Sequence, residues 1–124
     1  EYLWIQKKDS IQLIPELIIE EIERTPSFVI PRDKHIACLD ADKLNHPLTI
    51  RKWERGDKFI PLGMNGKKKV SDYLTDKKFT LFEKERQYVA CSEGKIVWLI
   101  GERTDDRFKI TEKTEKTLIL KIQK

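Results

Sequence analysis

Three consecutive lysines, at residues 67–69, directly precede a stretch with helical periodicity. Val70, Tyr73 and Leu74 are spaced so that they share one face of a helix. The first turn of a helix presents unpaired N–H groups and a partial positive charge, which lysines oppose. A phosphate at this junction would use the N–H groups and the ammonium groups together. The pattern therefore predicts phosphate contact, although the spacing of a Walker A loop is absent.

Positive charge is concentrated in the middle of the chain. The net charge of the 124 residues is +4, but residues 51–86 alone contribute +5, whereas residues 1–50 contribute −3 and residues 87–124 contribute +2. The cations of the middle segment flank a loop rich in Gly and Pro and are interleaved with Trp53 and Phe59. A charge excess often marks only a solvated face. Cations clustered beside irregular backbone favour phosphate contact instead, because each neutralised phosphate releases counterions.

Short apolar runs between turn signals predict strands before and after the basic segment. Asn45, His46 and Pro47 form one such turn signal. Val70, Tyr73 and Leu74 predict a first helix, and the capping-box pattern that starts at Thr80 predicts a second at residues 81–86. The fold class indicated is α+β, dominated by antiparallel strands, with one or two short helices. The predicted strands are residues 2–7, 18–23, 28–30, 35–39, 48–53, 88–91, 95–101, 108–110 and 118–122.

Composition excludes several classes of protein. Cys38 and Cys91 are far apart and lack the clustered spacing of a zinc site, so we expect free, mostly buried thiols in a reducing cytoplasm. The longest apolar run, residues 96–100, is too short to cross a bilayer. The chain starts at Glu1 and its single methionine is Met64, so we expect a piece of a longer protein.

Several residue pairs allow a catalytic or a structural interpretation. Acidic residues beside turns could act as general bases or metal ligands, but they more often accept hydrogen bonds in turns or orient an arginine. Aromatic residues could stack on bases, but those within apolar runs usually belong to the core. His35 and His46 have no nucleophile at suggestive spacing. The residues open to both interpretations are Asp40, Asp42, Asp57, Asp106, Trp53, Phe59, Trp98 and Phe108.

An ordered set of motifs resembles one known family. In order they are Ile50-Arg51-Lys52-Trp53, Gly56-Asp57-Lys58-Phe59, Pro61-Leu62-Gly63-Met64 with Gly66, Lys68-Lys69-Val70-Ser71-Asp72-Tyr73-Leu74, and Asp106-Arg107-Phe108, with a lead-in at residues 39–44. Together they closely resemble the C-terminal domain of tRNA(Ile)-lysidine synthase. The resemblance covers roughly the last 85 residues. The strand signals predict a strand-rich lead-in segment at residues 1–47, and the resemblance implies a tRNA-binding domain at residues 48–124.

The resemblance implies a binding role rather than catalysis. Enzymes of this family use ATP, with Mg²⁺, to adenylate the wobble cytidine of tRNA(Ile) and then join lysine to it. Their catalysis resides in an N-terminal domain with an SGGxDS loop, and this sequence contains no such loop. The resemblance therefore implies no catalytic residue, metal or cofactor in this chain. It also implies a sandwich-like module, similar to one in the β-subunit of phenylalanyl-tRNA synthetase.

The partners that the resemblance implies are tRNA(Ile), through its acceptor-stem phosphates, and the catalytic domain of the parent enzyme. We expect no membrane contact, and a homodimer stays open. One alternative is a structural module that docks on the ligase with only incidental RNA contact. Another is a small independent enzyme, but no matched acid, base and nucleophile supports it. The residues expected to contact tRNA are Arg55, Lys58, Lys67, Lys68, Lys69, Lys77, Lys78, Arg103 and Arg107.

Overall fold

A five-stranded sheet forms the middle layer of the structure. The computed structural model describes residues 5–7, 17–25, 27–45 and 47–122. These residues also contain two 3-10 turns, Ala41–Lys43 and Asp106–Phe108. The helices and strands are β1 (Ile5–Lys7), β2 (Leu17–Glu23), β3 (Ile36–Asp40), β4 (Leu48–Lys52), β5 (Lys58–Phe59), β6 (Lys68–Lys69), α1 (Val70–Asp76), α2 (Leu81–Glu85), β7 (Tyr88–Ser92), β8 (Lys95–Leu99), β9 (Arg103–Thr104) and β10 (Lys116–Ile122).

The described strands form three sheets. The middle sheet has the order β1-β4-β7-β8-β9, in which β1 runs parallel to β4 and the other neighbours are antiparallel. A second, antiparallel sheet has the order β2-β10-β3. β5 and β6 form a two-stranded antiparallel ribbon. The predicted α+β fold, with mostly antiparallel strands and two short helices, is therefore confirmed.

The first core cluster lies between the two larger sheets. Ile50, Tyr88 and Trp98 of the middle sheet pack in one cluster with Leu39 of β3 and Leu118 of β10. Trp98 is 1% exposed. The prediction that this tryptophan belongs to the core rather than to a stacking surface is confirmed. Two sheets joined by such a core form the sandwich-like arrangement that the resemblance implied.

A second core cluster covers the opposite face of the middle sheet. Val89 and Leu99 pack there with Phe59 of β5 and with Tyr73 and Leu74 of α1. All five residues of β7 are buried, because one face meets the β2-β10-β3 sheet and the other meets the layer of β5 and α1. A strand covered on both faces reads as a continuous apolar run rather than an alternating one. The layer that carries the basic segment is thus part of the core.

Two predicted strands are wrong. At residues 28–30 the Phe28 N–H donates to the Thr25 carbonyl in a turn, and Val29 is 79% exposed, so the segment has no ladder partner. At residues 108–110 the Asp105 side chain accepts a hydrogen bond from the Arg107 N–H and starts a 3-10 turn instead. Residues 2–4 of the first predicted strand and His46 lie outside the described residues.

The proposed boundary at residue 47 stays a prediction. β3 belongs to the predicted lead-in segment, yet it pairs along its length with β10 at the other end of the chain. Ala37 and Leu39 of β3 also lie in the first core cluster. Strand β3 is therefore packed into the same core as the later strands, whichever way the chain is divided.

The carboxylate of Asp105 connects the loop after β5 to the far edge of the middle sheet. It is completely buried. It accepts hydrogen bonds from the Ile60 N–H at 2.8 Å and from the backbone and guanidinium nitrogens of Arg107 at 2.8 to 2.9 Å. The hydrogen bond and ion pair to Asp105 raise the pKa of Arg107, which therefore stays charged. Buried charge of this kind is tolerated only where partners satisfy it.

Replacing Asp105→Asn should lower the free energy of unfolding by about 2 kcal/mol, which equilibrium urea denaturation can measure. The amide would leave Arg107 without its counter-charge and would replace one acceptor oxygen with a donor. The value lies below that of fully buried pairs because Arg107 is partly exposed. Glu112→Gln, at an exposed position, should change stability by less than about 0.5 kcal/mol. Equal losses in the two variants would contradict this role of Asp105.

Candidate nucleic-acid interface

Helix α1 is fixed to the middle sheet by one apolar face. Val70, Tyr73 and Leu74 are all buried, as their spacing predicted. The Tyr73 ring meets Phe59 edge-on, with ring centres 5.6 Å apart. Burial, with a smaller effect of Glu102, raises the pKa of Tyr73 to about 12, so the phenol stays neutral near neutral pH. The lysines around this helix are therefore attached to an element whose inner face is apolar and fixed to the core.

The junction between the three lysines and α1 differs from the predicted phosphate site in two respects. The helix begins directly after Lys69, as expected, but the Val70 N–H donates to the Asp57 carbonyl at 2.9 Å. That amide is therefore occupied within the chain. The helix is also only seven residues long, so its dipole is small. Phosphate contact at this junction stays a prediction, and it would rest on the lysine side chains more than on the helix amides.

Like charges face each other across the ribbon of β5 and β6. Lys58 is the register partner of Lys69, and both side chains are exposed. Directly opposed like charges destabilise an antiparallel pair. Lys67, immediately before β6, is exposed as well. Three ammonium groups are thus placed on a short ribbon in an arrangement that folding alone does not favour.

The remaining lysines lie on or around α1. Lys68 reaches the far end of the helix, where its Nζ contacts the Asp76 carboxylate at 2.6 Å. Lys77 follows the helix, and its Nζ lies 5.6 Å from the centre of the Tyr73 ring. Lys78 has a positive φ of 62°, and a residue with a Cβ adopts this backbone conformation only at a cost in free energy. Lys68 is already paired, whereas Lys77 and Lys78 are exposed.

Helix α1 ends in a Schellman motif that explains the backbone of Lys78. The Lys78 N–H donates to the Thr75 carbonyl and the Phe79 N–H donates to the Leu74 carbonyl. Glycine is the usual residue at the left-handed position of this motif, because it has no Cβ. A lysine there lowers the stability of the fold, and its side chain is exposed to solvent.

Arg55 stands at the tip of a turn that its neighbours hold in place. The Asp57 carboxylate accepts hydrogen bonds from Nη1 and Nη2 of Arg51, at 2.9 and 3.0 Å. It also accepts one from the Glu54 N–H at 2.7 Å. The hydrogen bond to Asp57 raises the pKa of Arg51. Asp57 thus orients an arginine and closes a turn, as the structural interpretation of the sequence predicted. Arg55 itself is exposed.

Arg103 and Arg107 have a different environment from the other predicted contacts. Arg103 donates from Nη2 to the Leu62 carbonyl at 2.6 Å, and Arg107 is paired with Asp105. Both guanidinium groups therefore help to hold the loop of residues 60–64. Asp106 also belongs to this clamp, because it accepts the Gly63 N–H, and that hydrogen bond lowers its pKa.

The structure thus separates the nine predicted contacts into two groups. Seven lie on the ribbon of β5 and β6, on α1, or in turns that directly flank them. Two belong to the clamp around residues 60–64. We call the first group the basic layer, and its members are Arg55, Lys58, Lys67, Lys68, Lys69, Lys77 and Lys78. Contact of any of the nine with RNA stays a prediction.

A groove beside the basic layer was missed at the level of the sequence. It is lined by Lys52, Trp53, Arg55 and Ser71 together with residues of α2, which are Leu81, Lys84 and Glu85. The Trp53 Nε1–H donates to the Lys84 carbonyl at 2.7 Å. Only the capping box at Thr80, which predicted α2, and the cations of residues 51–86 gave a signal for it. The groove itself depends on contacts between distant parts of the chain.

The remaining candidate groups have structural roles. Asp40 accepts the Asp42 N–H and the Thr114 hydroxyl, so it caps a 3-10 turn. Cys38 and Cys91 are free, and burial raises the pKa of both thiols. Among the described residues, no group of three or more His, Cys, Asp or Glu side chains is arranged to hold a metal ion. None of the described helices is long and apolar enough to cross a membrane.

Comparison with known proteins adds relatives of known type. The chain is 58% identical over 118 residues to the tRNA(Ile)-lysidine synthase of Bacteroides thetaiotaomicron, which covers 95% of this chain and 28% of that protein. It is 46% identical to the synthase of Parabacteroides distasonis, covering 97% of this chain and 31% of that protein. This chain is a homologue of the C-terminal part of tRNA(Ile)-lysidine synthase. It spans less than a third of the length of these two relatives, and no family model matches it.

Solved structures agree on the fold of the synthase C-terminal domain. The crystal structure of the C-terminal domain of TilS, an abbreviation of this synthase's name, superposes with a TM-score of 0.74 and 22% identity, covering 86% of this chain and 82% of that chain. An N-terminal fragment of the phenylalanyl-tRNA synthetase β-subunit from Pyrococcus horikoshii superposes with a TM-score of 0.60 and 18% identity, covering 68% of this chain and 27% of that chain. The resemblance predicted from the sequence motifs is therefore confirmed.

Lys78→Gly should raise the free energy of unfolding by about 0.5 kcal/mol, because glycine adopts a φ of 62° without steric cost. The matched control is Lys77→Gly at the preceding residue, whose φ is −83°. There, glycine only adds entropy to the unfolded chain, and stability should fall by about 0.5–1 kcal/mol. Urea denaturation of both variants provides the measurement. Changes of the same sign would contradict the strain assigned to Lys78.

Proposed function

We propose that this domain binds tRNA(Ile) for a tRNA(Ile)-lysidine synthase and carries none of the catalytic residues. The 58% identity to a synthase over almost the whole chain is the observation that supports this most directly. We further propose that the complete protein joins lysine to the wobble cytidine in the cytoplasm, and that its ATP and Mg²⁺ bind outside this chain.

The arrangement of charge supports a phosphate backbone as the target. Lys58, Lys67 and Lys69 project from a ribbon whose core contact, Phe59, is completely buried. Their mutual repulsion is relieved when phosphates neutralise them, and release of counterions from the RNA adds to the binding free energy. An ion pair occupies Lys68, so we assign it a smaller share.

The shape of the surface supports contact with a stem. Double-helical RNA has a major groove too narrow for side chains, so it is recognised through phosphates, 2′-hydroxyls and shape. The residues of the basic layer lie on or beside two short strands, one helix and tight turns, and these elements are fixed to the middle sheet through the second core cluster. A backbone fixed in this way suits a rigid set of phosphates, because little loop entropy is lost on binding. We propose the acceptor stem as the part of the tRNA that is bound.

The triple variant Lys58→Ala, Lys67→Ala, Lys69→Ala should bind tRNA(Ile) about tenfold or more weakly than the wild type. Each lost phosphate contact should also reduce the slope of log affinity against log salt by about 0.7–0.9. Filter binding or fluorescence anisotropy over a series of KCl concentrations provides both quantities.

The matched control removes the same charge elsewhere on the surface. Lys95, Lys113 and Lys116 are exposed, and they lie outside the basic layer. Their replacement by Ala should leave the salt slope close to that of the wild type. If the two triple variants lose affinity and slope equally, the basic layer is not the binding surface. If the wild type binds tRNA without salt dependence, phosphate recognition by this domain is wrong.

A second function, docking on the catalytic domain of the synthase, is favoured by one observation. Val29 and Ile30 are 79% and 49% exposed, although both are large apolar residues. Contiguous exposed apolar residues mark contact surfaces when the patch is large, and these two neighbours would form part of such a patch. Replacing both residues with Ser should then weaken binding to the separately expressed catalytic domain without changing tRNA affinity. Unchanged domain binding in that variant would argue against this surface.

A further inference from the structure

The groove beside the basic layer combines an aromatic surface with positive charge. Its cavity volume is about 480 Å³, within the range of small-ligand sites. Three of the side chains that line it are cationic, Lys52, Arg55 and Lys84, against the single carboxylate of Glu85. An anion that also carries a flat apolar group would match both properties.

The indole of Trp53 is held in a fixed orientation in this groove. It packs against the second core cluster, and its Nε1–H donates to the Lys84 carbonyl at 2.7 Å. The polar edge of the ring is therefore occupied inside the protein, while the residue remains half-buried and lines the groove. An aromatic ring fixed in this way stacks on a base with little loss of side-chain entropy.

Helix α2 is held firmly although it contributes no buried side chain. The Thr80 hydroxyl accepts the Glu83 N–H, and the Glu83 carboxylate accepts the Thr80 N–H, so the capping box is complete. Lys84 Nζ also donates to the Thr75 hydroxyl of α1. None of the five residues of the helix is buried, and Leu81 is 79% exposed at the groove. The helix presents an apolar side chain to solvent from a fixed position.

We propose that this groove binds an unpaired nucleotide of the tRNA, with its base against Trp53 and Leu81 and its phosphate beside Arg55 and Lys84. Bases outside a helix are recognised by stacking on aromatic side chains, whereas paired bases are not accessible in this way. The inference rests on the proposed tRNA-binding function and adds a second type of contact to it. Net positive charge beside an aromatic ring makes a neutral or basic protein segment a weaker match than a nucleotide, which carries both a phosphate and a flat base.

The groove is continuous with the surface proposed for the stem. Arg55 belongs to both, and Ser71 of the groove lies in the first turn of α1, two residues after Lys69. A stem on the basic layer would therefore place the strand that leaves its end near the groove. The single-stranded 3′ end of the tRNA adjoins the acceptor stem, so we assign the nucleotide to that end.

The test compares two RNA hairpins with the acceptor-stem sequence, one blunt and one with the single-stranded 3′ end. The wild-type chain should bind the hairpin with the 3′ end about tenfold more tightly, since stacking of one base contributes on that order. Trp53→Leu should remove this gain and leave affinity for the blunt hairpin unchanged. Trp53→Phe should keep most of it, because a ring is retained. Fluorescence anisotropy at constant salt gives the six affinities.

A second variant tests the groove without touching the core. Leu81→Asp replaces the apolar contact expected for the base with a carboxylate, at a position that is 79% exposed and contributes nothing to the core. It should abolish the gain from the 3′ end. Lys113→Asp introduces a carboxylate at another exposed position, outside the basic layer and the groove, and should leave the gain intact.

The outcomes separate the inference from the proposed function. Equal wild-type affinity for both hairpins would overturn the groove as a nucleotide site while leaving stem binding intact. The same conclusion follows if Leu81→Asp weakens binding of both hairpins by the same factor. It also follows if that variant changes only binding to the separately expressed catalytic domain. If the wild type binds neither hairpin, the tRNA-binding function itself fails, and the nucleotide site fails with it.

Discussion

Burial of both faces of the middle sheet is the constraint on which the rest of the structure depends. Strand β7 is covered by the β2-β10-β3 sheet on one side and by α1 and β5 on the other. An uncovered face would expose Val89 and Leu99 to water. The basic layer is therefore no appendage, because the same residues that complete the second core cluster also position the lysines. Phe59, for example, is completely buried in that cluster, and it directly follows Lys58 in the ribbon.

Several features of the basic layer oppose local stability. Lys58 faces Lys69 across a two-residue ribbon, and Lys78 occupies a left-handed position where glycine is favoured. Each costs a fraction of a kcal/mol to about 1–2 kcal/mol, which the core contacts of Tyr73 and Leu74 can offset. Local rules broken at one surface and kept elsewhere are typical of binding sites. The clamp around Asp105 instead favours stability, since both carboxylate oxygens of Asp105 accept hydrogen bonds.

The elements that the sequence predicted well are those with local causes. The capping box at Thr80 and the apolar spacing within α1 each act within a few residues, so both helices lie where they were expected. The false strands at residues 28–30 and 108–110 had suitable composition but no partner, since strand formation requires a neighbour elsewhere in the chain. Strands β5, β6 and β9 have only two residues each, too few to show a period, and their pairing depends on tertiary contacts.

The same distinction applies to the candidate site. The sequence located the positive charge, but it did not show which cations form ion pairs within the chain. Lys68 meets Asp76 only after α1 has formed, and Arg107 pairs with Asp105 rather than with its neighbour Asp106. The groove was even harder to predict from the sequence than the pairing of the cations. Its walls come from three segments that meet only through the second core cluster and the hydrogen bond from Trp53 to α2. The sequence favoured a packing role for Trp53, and this residue does pack against the second core cluster. Packing fixes one part of the ring and thereby prepares the part that lines the groove, so the structural and the binding interpretation of Trp53 are compatible.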